Sequence, residues 1–222
     1  METRTVRETT IMLPHLDEEA LDEVTSLDRD RLTDITYTGA QLRELSLSGT
    51  TLTSGRITGL TAQRACLDQV TLSSVEFADC NLSNLRMTGS KLSRVVFTDC
   101  KLLGAVIDDV TLDSVLFERC RLDYAHLSRI RAAGPVVFSS CSLREASVSR
   151  ADLTGATLNA CDLYRTEFDG GVYRGFDLRG NDLAGVRGVS CLRQVTLDRS
   201  QLPGLAQAVA ADLEILVAED QA

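Results

Sequence analysis

The chain has 222 residues, of which 44 % are apolar and 25 % charged, a balance that excludes a disordered tail. Only 5 % are aromatic, Trp is absent and Pro occurs three times, so large rings do not organise the core. The formal charge of −9 sits at the ends: residues 1–34 hold ten acids and four bases, residues 35–200 eighteen and nineteen, and residues 201–222 four acids and no base.

The N-terminus, Met1 to Glu8, has no apolar run before a cleavage site, so no signal peptide is expected. Thr9-Thr10-Ile11-Met12-Leu13 reads as a strand ended by Pro14. Leu16, Ala20, Leu21 and Val24 then form an apolar stripe on a short acidic helix with Asp17, Glu18, Glu19, Asp22 and Glu23. Residues 1–26 are expected to form a strand/helix cap over the first turn of the region that begins at residue 27.

From residue 27 a five-residue beat takes over. Stepping by five from Leu67 meets Leu72, Phe77, Leu82, Met87, Leu92, Phe97, Leu102, Ile107, Leu112, Phe117, Leu122 and Leu127. Leftward the beat reaches Leu27, with Ala62 as a weak member. A smaller apolar residue lies two places before each beat, as at Val75, Cys80 and Val95. Five fits neither the helical period nor the strand period. Residues i−2 and i point one way, as in a strand, and the chain must turn before the next unit.

A longer period fixes the shape. Phe77, Phe97 and Phe117 are twenty apart, as are Cys80, Cys100 and Cys120; Phe138, Cys141 and Cys161 continue both series after one extra residue. Four pentapeptides per turn make a square coil, with like residues stacked in columns. Residues 27–202 then form an all-β solenoid of about nine coils, about 40 Å long at the spacing of stacked strands. Two register slips are expected: a long one near 128–137, at Arg131-Ala132-Ala133-Gly134-Pro135, and a short one near 184–191.

Residues 203–222 close the chain. Leu205, Val209 and Leu213 share one face of an Ala-rich helix, and Ile215 and Leu216 lengthen the apolar patch toward Val217 as a short strand or further helix. An exposed patch of this kind either caps the last coil or joins two copies, and a homodimer through this end is the reading adopted.

Ala151-Asp152-Leu153-Thr154-Gly155, Cys161-Asp162-Leu163-Tyr164-Arg165 and Asn181-Asp182-Leu183-Ala184-Gly185 resemble the unit of the pentapeptide-repeat proteins, and the likeness covers about 80 % of the chain. The resemblance implies a right-handed quadrilateral β-helix. The ending, from Phe176 onward, is similar to members from high-GC Gram-positive bacteria. More distantly the chain resembles the fluoroquinolone-resistance group, whose members resemble duplex DNA, dimerise through their C-terminal ends and bind DNA gyrase or topoisomerase IV.

Chemistry finds no footing. Neither His15 nor His126 sits in a catalytic motif, and no phosphate-binding Gly loop occurs. The Cys column is read as core rather than as a zinc site, because its members stack along a line instead of surrounding a point. Cys66 and Cys191 fall at outward positions and are the thiols expected to react. No cofactor, metal or catalytic residue is expected, and a filled core leaves no ligand pocket. No run approaches the ~18 apolar residues of a membrane span. Seven cysteines, odd in number and scattered, point to reduced thiols and a cytoplasmic location.

The functional expectation is a non-enzymatic interaction protein presenting a rigid rod to a protein partner. The alternative is a DNA mimic directed at gyrase or topoisomerase IV, which protects against topoisomerase poisons. Mimicry demands one acidic face. The densest acids of the body, Glu76, Asp79, Asp99, Asp108, Asp109, Asp113, Glu118 and Asp123, are the candidates for it. Direct nucleic-acid binding is not expected, since no basic stripe with interleaved aromatics is visible.

Overall fold

The computed structural model describes residues 2–216 and residue 218. From residue 22 to 201 the chain winds as a right-handed solenoid with four walls. In each turn the core residues come from the first wall (Leu52, Leu72, Leu92, Leu112), the second (Ile57, Phe77, Phe97, Phe117), the third (Leu82, Leu102, Leu122) and the fourth (Leu67, Met87, Ile107, Leu127), all buried. Parallel ladders set the register, with Leu72, Leu92 and Leu112 in one row and Phe77, Phe97, Phe117 and Phe138 in the next.

The corners explain the period. The residue two places after a core residue has positive φ in almost every unit, from Asp34 through Asp79, Asn84, Arg94 and Asp99 to Arg165. Asp, Asn, Gly and Ser tolerate this left-handed conformation, and they dominate those positions. On the first and second walls the turn is taken inside eight-residue strands such as Thr71–Ala78 and Lys91–Thr98, bent at Ser74 and Arg94.

About seven turns are built by ladders, against the nine expected: seven successive strands stack from Arg31–Thr38 to Thr157–Asn159, and seven from Gln41–Ser46 to Glu167–Asp169. Beyond Gly170 only isolated bridges remain, such as Asp177↔Thr196. Gly170, Gly171, Gly175 and Gly180 all have positive φ there, and turns replace strands.

Both slips are absorbed in the wall. Leu112 pairs with Ala132 but Val115 with Val136, so the extra residue lies between them. Gly134 permits this bulge: a Cβ there would overlap the Asp113 carboxylate. The short slip uses Gly188, at φ 69°, where a Cβ would overlap the carbonyl of Phe168.

The N-terminal segment departs from the expected cap. β1 (Thr3–Val6) and β2 (Thr9–Met12) form an antiparallel hairpin on the outside of the second wall, in the middle of the rod. No helix forms over 16–24; a turn at 17–20 leads to Asp22–Glu23, which pairs in parallel with Ile35–Thr36 and starts the solenoid. The reason is the ladder: with Asp22–Glu23 paired to Ile35–Thr36, only residues 16–21 remain, fewer than two turns and too few to sustain a helix.

At the far end, α1 (Leu202–Asp212) lies over the last coil. Ala208 is buried, Leu205 packs on the core, and the Asp212 carboxylate accepts hydrogen bonds from the N–H groups of Gly188 (3.0 Å) and Val189 (2.7 Å). Ile215 and Leu216 follow without regular structure, and Val217 lies outside the described residues.

Candidate functional site

The interior offers no site. The space along the axis between Met87, Phe97, Ile107 and Phe117 amounts to about 10 Å³, too little for a ligand. The Phe rings stack with centroids 4.8, 4.9 and 4.7 Å apart and planes within 8°. Cys80, Cys100, Cys120, Cys141 and Cys161 are buried in one column, and each thiol donates to carbonyls at the level of its own coil and the one below, as Cys100 does to Thr98 (3.3 Å) and Phe77 (3.4 Å). Neighbouring thiols together with burial hold Cys100 and Cys141 far above the usual thiol range. Among the described residues no group of three or more His, Cys, Asp or Glu side chains is placed to hold a metal ion.

Shallow hollows open toward the ends, a smaller one of about 330 Å³ between Gly180–Leu183 and Ser200–Gly204 and two larger ones. One, of about 380 Å³, lies between Thr25–Asp28 and Leu42–Ser46. The other, of about 430 Å³, lies between Gly170–Arg174 and Ser190–Gln194. Neither is lined by a catalytic pairing: the second holds the half-buried Cys191 with Arg174 and Arg193 but no carboxylate or imidazole. His126 sits outward on the fourth wall, 2.8 Å from Ser147 Oγ, and His15 is exposed in the N-terminal segment. Cys66, also half-buried, meets Ser48, Asp68 and Arg86 within 3.3 Å.

The outer walls therefore carry whatever the protein does, and they differ in charge. The eight acids singled out in the sequence do not share a wall. Glu76, Asp79, Asp99 and Glu118 lie on the second wall or its far edge; Asp113 lies on the first, Asp123 on the third, and Asp108 and Asp109 on the fourth. The reason is register: acids five residues apart occupy successive walls, so closeness in sequence scatters them. Most are neutralised where they stand. Arg119 forks onto Asp99 at 2.9 and 2.8 Å and holds its carboxyl below the usual range, Arg129 pairs with Asp108, and Asp123 binds Ser142 and Arg121.

The N-terminal arm, residues 2–24, changes the sum. Ile11, 1 % exposed, inserts against Leu116 and Val137, with Val6, Leu13 and Val96 around it. Val96, Leu116 and Val137 are outward residues, and the arm is what buries them. Polar contacts flank this knob: Arg4 pairs with Glu118, Arg7 donates to Asn159 (3.0 Å), Thr9 meets Thr157 (2.7 Å), and Arg179 donates to Glu8 (3.1 Å). Lower down, Arg56 bridges Glu18 and Glu76, each at 2.9 Å, which lowers Glu18 and raises Arg56. The arm thus runs along the second wall from the rung of Arg179 to the first rung.

Three walls are close to neutral. The first carries six bases and four acids, the third six and five, the fourth five and six. The second carries six acids (Glu76, Asp79, Asp99, Glu118, Asp177, Asp198) and four bases, and the arm adds seven acids (Glu2, Glu8, Asp17, Glu18, Glu19, Asp22, Glu23) and two bases. That wall reaches −7 while no other exceeds ±2. The sequence reading missed this surface. Its signal was present as three outward aliphatics in one column, Val96, Leu116 and Val137, and as apolar residues of the N-terminus without a partner.

At the other end, α1 leaves Leu202, Leu213, Ile215 and Leu216 exposed, the last at 97 %, with Val209 at the margin, while Leu205 faces the coil. The patch expected at Leu205, Val209, Leu213, Ile215 and Leu216 is therefore divided between capping and solvent. No helix among the described residues is long and apolar enough to cross a membrane.

Comparison with known proteins matches this architecture. The family model for the pentapeptide repeat region matches residues 59–127, and that for pentapeptide repeats in eight copies matches residues 136–170. No curated protein sequence matches significantly. Solved structures that align include a trypsin-treated variant of QnrB1, a plasmid-mediated fluoroquinolone resistance protein (21 % identity, 89 % of this chain and 96 % of that chain, TM-score 0.48). Full-length QnrB1 aligns at 16 % identity (86 % and 97 %, TM-score 0.42). HetL, a pentapeptide repeat protein involved in heterocyst differentiation regulation from Nostoc sp. strain PCC 7120, aligns at 18 % identity (74 % and 84 %, TM-score 0.18). With the five-residue corners, the twenty-residue columns and both repeat models in agreement, the chain belongs to the pentapeptide-repeat family.

Proposed function

We propose that this protein is an interaction rod whose second wall stands in for a segment of duplex DNA on a type II topoisomerase. The distribution of charge carries the reading. A body that is neutral in sum has one wall at −7, assembled from the arm and from Glu76, Asp79, Asp99 and Glu118. A surface that handles duplex DNA is lined with Lys and Arg placed for phosphates. A long, rigid, acidic wall is complementary to it, whereas a patchwork wall is not. The fluoroquinolone-resistance group that the sequence resembles supplies the precedent for the partner.

The C-terminal end supplies the second part. Leu202, Leu213, Ile215 and Leu216 are apolar and exposed beside the capped coil. Two copies meeting across this patch on a two-fold axis would cover it and double the length of the rod.

A supercoiling assay with DNA gyrase, run with and without a quinolone, tests the reading. Inhibition or protection at micromolar protein is expected, fading as salt rises. The combined variant Glu76→Gln, Asp79→Asn, Asp99→Asn should weaken it, whereas Asp109→Asn and Asp113→Asn, on other walls, should not. No effect of the wild-type chain on gyrase or topoisomerase IV overturns the proposal.

A further inference from the structure

The hairpin is attached differently from everything else in the molecule. Each solenoid strand is tied to its neighbours by backbone ladders. β1 and β2 pair only with each other, and among the described residues no backbone hydrogen bond joins residues 2–13 to the solenoid; the first backbone pairing on the way in is the ladder of Asp22–Glu23 with Ile35–Thr36. What seats the hairpin is one buried side chain, Ile11, and side-chain contacts at Glu118, Thr157, Asn159 and Arg179, all but Thr9–Thr157 formed by charged groups of the arm.

Units held by few apolar contacts and by exposed polar ones open locally, far below the cost of unfolding the whole. Here opening has an electrostatic consequence. Residues 2–21, the part of the arm outside that ladder, carry five acids and two bases, so their release takes the second wall from −7 to −4.

We propose that the partner-facing surface is the seated N-terminal arm, residues 2–21, held on the second wall by Ile11 and detachable from it, so that the wall is most acidic while the arm is docked. Ile11 is thus a positioning residue for the interaction. The fitting partner is a basic, duplex-DNA-binding surface, and in this the inference rests on the proposed function. Release of the arm also uncovers Val96, Leu116 and Val137 as an apolar stripe, which favours re-docking over a lasting open state.

Hydrogen exchange on the full-length chain tests detachment without any topoisomerase. Amides of residues 4–12 should exchange at least about a hundredfold faster than those of Lys91–Thr98 and Thr111–Glu118, through openings that leave those strands protected. Ile11→Asp should speed exchange of the arm by a further factor of about ten or more and leave the strands protected. Arm amides that exchange only as slowly as the solenoid, or an arm unaffected by Ile11→Asp, overturn the inference. The link to the partner is read separately: if the wild-type chain acts on gyrase, Ile11→Asp should require about tenfold more protein for the same effect. An equal effect from the released-arm variant overturns the assignment of the surface to the arm. A detachable arm on a chain that leaves gyrase untouched supports the strap and removes the topoisomerase reading instead.

Discussion

Phe97 has a ring above it and a ring below it, at 4.8 and 4.9 Å, and is 1 % exposed. Truncation to Ala leaves a hole that the rigid ladders on both sides cannot close. Phe97→Ala should therefore cost about 3–5 kcal/mol in a denaturant titration. The thiols offer a finer test at the same scale. Cys66 and Cys191 are half-buried and the five column thiols buried, so a thiol reagent should label the first two in the native protein and the column only after unfolding. These assignments were legible in the sequence because a column needs only a period and a residue size. The placement of the acids was not, because an acid's wall depends on the five-residue phase, and its partner comes from another coil or from the arm.

At the scale of elements, the sequence reading recognised the N-terminal strand and misplaced it. A strand signal says that a segment is extended, not what it lies against. The docking site is visible only when the outward column Val96, Leu116, Val137 is read across three coils. The helix expected after Pro14 fails because the ladder of Asp22–Glu23 with Ile35–Thr36 takes its second half and leaves fewer than two turns. The arm's acids also make its seating sensitive to pH. The hydrogen bond and charge of Arg56 hold the Glu18 carboxyl below its usual range. Because its folded value is depressed, its contribution is fully present above the unfolded range near ~4 and is lost as pH falls below it. Arm protection in hydrogen exchange should accordingly fall below about pH 4 and be unchanged between about pH 5 and 8. α1 carries one polar anchor beside its apolar ones, Ala208 and Leu205. Asp212→Ala strands the N–H groups of Gly188 and Val189, and should cost about 1–3 kcal/mol while fraying the cap, measurable as a lower melting temperature.

For the whole molecule, the fold class followed from the period, and the count of turns did not. Core-sized residues continue to Leu202, but ladders stop near Gly170, where Gly and turns replace the β-branched residues that build strands. Quaternary structure is decided at this scale too. Sedimentation of the intact chain should give a dimer, and Leu213→Glu with Leu216→Glu should give a folded monomer, because both side chains are exposed and neither supports the last coil. A monomeric intact chain would leave α1 as a cap alone.

The two slips have a consequence for how such a chain can change in length. A gain or loss of five residues rotates everything downstream by a quarter turn; a gain of one shifts every outward residue along its wall. The bulge at Gly134 adds one residue and the tight turn at Gly188 removes one, so Thr196 lies a whole number of twenty-residue turns, 100 residues, beyond Val96. Neither slip shifts the wall beyond it: Phe138 still stacks on Phe117 at 4.7 Å past the bulge, and Thr196 still pairs with Asp177 past the tight turn. Single-residue insertions and deletions along this chain are thus taken up where a glycine lets the wall absorb them, and the exposed leucines of the terminus keep their bearing relative to the acidic side.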